Sequence, residues 1–278
     1  MSDLTFQMTD GEYKSLFKQD KTLGHGLTMD DMEGVWLAWE TDPKALEAVL
    51  PPIFGYVAPI VMCYVMKCGT TFTAAYDEAC TIVLASYKGE PAALQTSMLL
   101  CGDGAPQAAF LGREMAGMPK KICDDISVTR DGDSAHATIV KDGVTILSCA
   151  LELGAYNTLG GDQVFTDWAD GAVIPSATWL PKFNLEQYED GHMGFENGRL
   201  LKTVAQSFYE TWIPATAEIT LQSCENAPWG CLPVRTVIAG GYAKYAMRGF
   251  RTFKIDDVDA QKLAPYMLRP RYDAALFE

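Results

Sequence analysis

Positive charge is scarce in this sequence: 22 Lys and Arg stand against 36 Asp and Glu, and no arginine precedes Arg113. The net charge of −14 leaves no basic face for a phosphate backbone or an anionic lipid surface, so neither nucleic acid nor a membrane is an expected partner. Histidine is scarcer still. His25, His136 and His192 are far apart and lack ligand spacing, so neither a metal nor another cofactor is expected. The eight cysteines include no Cys-x-x-Cys pair and mostly lie in apolar, strand-like runs, which reads as buried thiols rather than a disulfide framework. No apolar run reaches the length of a membrane span. The first residues carry neither a basic nor an apolar leader region, so the expectation is a cytoplasmic protein without a signal peptide.

What is present is a chain of 278 residues, 48% of them hydrophobic, long enough to bury a sizeable core. It has no internal repeat, linker or low-complexity tract, so residues 1–278 are read as one domain. Thr9-Asp10-Gly11-Glu12 reads as a capping box ahead of a helix carrying Tyr13, Leu16 and Phe17, followed by a turn at Gly24-His25-Gly26. Residues 35–39 form a short buried strand. Asp42 then caps a helix that has Pro43 at its first position and stops at Pro51-Pro52. Residues 57–66 are almost wholly apolar and read as a core strand, and further strands are expected at 81–87 and 94–100.

Beyond residue 121 the pattern is plainly β. Asp131-Gly132 and Asp142-Gly143 are hairpin turns separating strands at 126–129, 135–140 and 144–153. The unbroken apolar character of 144–151 calls for cover on both faces. A loop is expected at 157–171 and strands at 178–183, 201–208, 217–221 and 234–239, with a turn at 190–194 and an acid-capped helix near 257–263. The class is mainly antiparallel β with short helices; residue patterns alone do not separate a barrel from a sandwich.

The most distinctive stretch is Gly112-Arg113-Glu114-Met115-Ala116-Gly117-Met118-Pro119-Lys120-Lys121. Asp103 and Pro106 read as the start of a helix, which Gly117 and Pro119 end, leaving Lys120 on an extended segment in apolar surroundings. A free lysine, with a pKa of about 10.4, is protonated at neutral pH and cannot attack a carbonyl. Burial and a neighbouring cation both disfavour the ammonium, and the free amine can then form a Schiff base whose iminium withdraws electrons.

Gly112-Arg113-Glu114 followed by Pro119-Lys120-Lys121 resembles the signature of the acetoacetate decarboxylase family, for which activation of a lysine by a second cation is already established. Weaker echoes occur at Glu40-Thr41-Asp42, Tyr76-Asp77-Glu78 and Leu232-Pro233-Val234. The resemblance implies a curved, closed antiparallel β-barrel enclosing an apolar cavity, with Lys120 as nucleophile, Lys121 as its electrostatic neighbour and Glu78 as a pocket acid. It also implies a small carbonyl substrate and a homo-oligomer, which the six tryptophans and twelve phenylalanines suit. Arg113, Glu114 and Met118 fall inside the motif, Glu114 as a supporting partner rather than a catalyst. Tyr242, after Gly240-Gly241, ends a strand where a phenol could reach the cavity.

The match fails in one respect. The family's decarboxylases carry an arginine before the first short helix and a glutamate upstream of the Tyr-x-Glu acid. Here no arginine is available there, and residues 53–76 hold no carboxylate; the corresponding positions read as Met32 and Cys63. Three classes follow: a Schiff-base lyase (decarboxylase, or aldolase/dehydratase on an oxo acid), a non-covalent isomerase or hydrolase using the same cavity, and a binder of small apolar molecules.

Overall fold

The computed structural model describes residues 28–71 and 73–276. The capping box at 9–12, Tyr13, Leu16, Phe17 and the turn around His25 lie outside the described residues. Eleven strands form one sheet: β1 (Met29–Glu40), β2 (Gly55–Thr71), β3 (Tyr76–Tyr87), β4 (Glu90–Cys101), β5 (Lys120–Ile122), β6 (Asp125–Asp131), β7 (Ser134–Lys141), β8 (Val144–Leu153), β9 (Val173–Gln187), β10 (Met193–Leu221) and β11 (Thr236–Asp257). Hydrogen-bonded neighbours run β11-β1-β2-β3-β4-β9-β10-β8-β7-β6. β10 also pairs with β11, so the path through β1, β2, β3, β4, β9 and β10 returns to its start. Pairing is antiparallel except where β4 meets β5 and β9.

The mainly antiparallel reading therefore holds. Strand lengths were under-read at the C-terminal end, where the expected 201–208 and 217–221 are parts of one strand of 29 residues. β10 can be that long because different stretches of it serve β9, β8 and β11, and bulges near Glu196 and Val204 bend it between them. The Asp142-Gly143 turn has φ of 53° and 71°, the doubly left-handed geometry that a tight hairpin needs. The last helix is Ala260–Met267, capped by Asp259 rather than Asp257. All eight cysteines are free; five are buried, and Cys231 is exposed. No helix among the described residues is long and apolar enough to cross a membrane.

Strand alternation sorts the interior into two cores. Val35, Leu37 and Trp39 of β1 pack with Cys63 and Val65 of β2 in one; Met32, Trp36 and Ala38 pack with Tyr64 and Met66 in the other. The second core borders the cavity described below. β1 and β2 approach closely at Gly34, where a Cβ would stand 2.1 Å from the Val65 carbonyl oxygen. Gly34→Ala is expected to destabilise the fold by about 1–3 kcal/mol, seen as a fall in Tm of roughly 2–10 °C. Scanning calorimetry tests this, and an unchanged Tm contradicts it.

Candidate active site

The site is assembled from four neighbouring strands, β2 to β5. Glu78 of β3 stands opposite Leu100 of β4, and Met98 of β4 stands beside Lys120 of β5, so the sheet register brings acid and lysine together. Lys120 Nζ lies 2.9 Å from Glu78 Oε2, with both side chains almost wholly buried. Tyr64 of β2 donates its phenolic hydrogen to Glu78 Oε1 at 2.5 Å. Burial, followed by the charge on Glu78, pushes the Tyr64 hydroxyl well above its ordinary range, so it remains a donor. Lys120 Nζ also sits 5.6 Å from the Tyr76 ring centre.

These groups border a cavity of about 100 Å³ whose wall includes five methionines: Met29, Met98, Met115, Met118 and Met247. Among the described residues, Glu78 and Lys120 are the charged side chains lining it. Gln95 also lines it, beside a bulge at Thr96 where the β3–β4 register shifts, and its Oε1 is buried without a partner.

The motif shapes the segment leading to Lys120. The helix Ala105–Leu111 starts after Gly104 with Pro106 in its first turn; Asp103, expected at the start, makes no capping bond. It then widens into a π-helical turn, Gly112–Ala116, which the sequence reading missed. Gly117 ends that turn at φ 73°, as expected of a glycine there. A Cβ at Gly112 would fall 2.8 Å from Lys120 Cδ, so the missing side chain makes room for the lysine stem. Arg113 Nε donates to the Lys120 carbonyl at 2.7 Å and fixes its backbone.

Several expected residues lie elsewhere. Lys121 faces away from Lys120, because successive residues of a strand project to opposite sides. Its ammonium reaches Asp273 at 3.0 Å and the Asn226 carbonyl at 2.7 Å. Lys121 as a charge beside Lys120 is therefore not the arrangement found. Burial would raise the Asp273 carboxyl, but Lys121 and Lys141 outweigh it and hold it below its usual range. Tyr242 is buried in the other core, where its phenol donates to Glu33 and Arg130 lies over its ring. Burial and the Glu33 hydrogen bond push it up to about 12.

The Glu114 side chain is exposed, and only its carbonyl is engaged, by Lys182. Cys63 points into the opposite core; Tyr64, its neighbour, is the residue of β2 that reaches Glu78. Met32 packs in the core beside the cavity, while Met29 lines it. His136 and His192 are exposed. Lys121→Ala is accordingly expected to lower Tm by loosening Asn226 and Asp273, while the pH dependence of reagent capture at Lys120 stays that of the wild type. A displaced capture profile would restore Lys121 as an electrostatic neighbour.

Comparison with known proteins accords with this geometry. The acetoacetate decarboxylase family profile matches residues 17–262. A protein of Lactiplantibacillus plantarum named CLA biosynthesis isomerase is 33% identical over 270 residues, covering 95% of this chain and 96% of that one. The crystal structure of an acetoacetate decarboxylase from Legionella pneumophila superposes with a TM-score of 0.70 at 19% identity, covering 91% of this chain and 99% of the other. The enduracididine biosynthesis enzyme MppR, complexed with a condensation product of pyruvate and imidazole 4-carboxaldehyde, gives 0.58 at 12% identity, covering 82% and 89%. With strands, cavity and motif in agreement with this match, the chain belongs to the acetoacetate decarboxylase family.

Proposed function

We propose that the protein is an enzyme that shifts a carbon–carbon double bond in an apolar ketone or enone held as a Schiff base on Lys120, inside a cavity enclosed by a closed β-barrel. The observation that carries this reading is the buried chain Lys120–Glu78–Tyr64 bordering a cavity to which the described residues bring no other charge. Glu78 can take a proton from the lysine, freeing the lone pair that attacks the substrate carbonyl; return of that proton to the carbinolamine hydroxyl expels water, gives the iminium and leaves Glu78 a carboxylate again. The iminium acidifies the adjacent C–H bonds. Glu78 removes a proton from one carbon, and the resulting dienamine takes a proton back at another. Hydrolysis returns ketone and amine, so no atom is gained or lost. Tyr64 steadies the carboxylate between transfers. The relative named an isomerase favours this reading.

The second reading is a lyase, decarboxylating an oxo acid or running aldol or dehydration chemistry, and family membership supports it. Against decarboxylation stands the lack, among the described residues, of a second cation in the cavity to hold a substrate carboxylate. Losing such a partner costs about 2–4 kcal/mol of transition-state stabilisation, or roughly 30- to 1000-fold in rate. A homo-oligomer is part of the proposal; the exposed Phe253 and Ile255 on β11 suit a contact between copies.

Borohydride reduction in the presence of a β,γ-unsaturated methyl ketone is expected to fix the ketone on the peptide carrying Lys120. Lys120→Ala should abolish both the adduct and turnover, and an adduct mapped to another lysine would overturn the assignment. Glu78→Gln should retain some trapped adduct but slow the appearance of conjugated enone by about 100-fold or more. Enone formation at the wild-type rate in that variant excludes Glu78 as the proton carrier. Acetoacetate should release CO2 at well under about 10 per second, the ordinary enzyme median; turnover at or above that level would favour the lyase.

A further inference from the structure

On the outer side of the π-helical turn, Arg113, Lys182 and Arg271 meet at a surface pocket of about 310 Å³. Met115 and Ala116 of the same turn line the Lys120 cavity, so the turn separates the two spaces. Cations elsewhere in this acidic chain find carboxylates, as Lys88, Lys121, Lys141 and Arg248 do. Among the described residues, neither these three nor Arg199, whose charge acts on Lys182, makes an ion pair with a carboxylate. Glu114 is on the pocket rim, but its exposed carboxylate pairs with none of them.

Arg271 is the sharpest case. It is 5% exposed, yet it meets only backbone acceptors, the carbonyls of Gly117 at 2.6 Å and Pro181 at 2.8 Å. Its Nε is buried with no partner. The guanidinium lies 4.8 Å from the Phe183 ring centre, and that of Arg113 lies 5.4 Å from the Tyr272 ring centre, so aromatic faces hold both forks in place. Burial, then the neighbouring Arg199 and Arg271, pulls the Lys182 ammonium down, and the more weakly felt charge of Glu114 does not offset them. A buried guanidinium beside further cations is costly unless an anion completes the set, and its fork matches carboxylate or phosphate oxygens.

We propose that this pocket binds the oxyanion of a second small molecule, distinct from the carbonyl substrate, with Arg113, Lys182 and Arg271 as its cationic contacts. The site is tied to the reactive lysine through the backbone. Arg113 holds the Lys120 carbonyl and Arg271 holds that of Gly117, so an anion shared by the two guanidiniums clamps both ends of the segment between them.

The test is titration calorimetry of the full chain with sodium phosphate and with sodium acetate, each against sodium chloride at matched ionic strength, alongside Tm. Saturable binding of at least one oxyanion is expected, with Tm rising as its concentration passes the Kd. Phosphate alone marks a tetrahedral ligand, acetate alone a carboxylate, and either supports the site. Lys182→Gln should weaken binding by about tenfold, the loss of one charge-assisted contact, and Lys182→Arg should restore it. The proposal is overturned by no saturation beyond the chloride control, or by wild-type affinity in Lys182→Gln. It is also overturned if sedimentation shows Lys182→Gln dissociating an oligomer that binds neither anion, which would assign the cations to a second copy of the chain. None of these readouts depends on catalysis.

Discussion

A lysine and a glutamate 2.9 Å apart, both shut away from water, are the constraint around which the rest of the structure is arranged. Neither charge is tolerable alone in an apolar interior, and the pair is held only if its geometry is good and its remaining lone pairs are satisfied. Tyr64 meets one oxygen of Glu78, and Lys120 stands against the other, which has no further partner among the described residues. Gly112 clears the path of the lysine stem, and Arg113 anchors the backbone from which it departs. The parallel pairing of β4 with β5 fits this arrangement: it sets Lys120 beside Met98, one strand away from Glu78.

The two adjacent lysines share a three-residue strand but not a task. Lys120 faces the methionine-lined cavity; Lys121 faces a polar network that joins Asn226, Asp142, Lys141 and Asp273. Asn226 in turn accepts from the Ala274 amide, so the chain near its C-terminal end is fastened directly behind β5. The arrangement separates the chemistry from the scaffolding by the thickness of one strand.

Much of this was legible in the sequence. The Asp142-Gly143 turn, the apolar run that became β2 and the proline-stopped helix after Asp42 rest on local rules, and the observed elements follow them; in the earlier hairpin the turn residues are Gly132 and Asp133, one position later than Asp131-Gly132. The setting of Lys120 in apolar surroundings was legible from its motif. Tyr64 was not, because a tyrosine inside an apolar strand looks like packing until the register shows which residue it faces. The orientation of Lys121 was within reach, since alternation in an extended segment already sends neighbours to opposite sides. Reading the pair as one charge cluster overlooked it. Tyr242 and Cys63 failed for a related reason: each lies on a strand with two buried faces, and composition does not say which core a side chain enters.

The five methionines of the cavity wall have a bearing on chemical durability. Thioethers are unbranched and polarizable, so such a wall yields to ligands of different outline, and discrimination falls to the polar groups rather than to a rigid mould. The same sulfurs are the oxidisable part of the lining. Conversion of even one to the sulfoxide would set a strong dipole in a space whose other polar lining, among the described residues, is Lys120, Glu78 and a few uncharged groups. An oxidant could therefore change this cavity with Lys120 and Glu78 chemically intact, and a reductase acting on methionine sulfoxide would restore it.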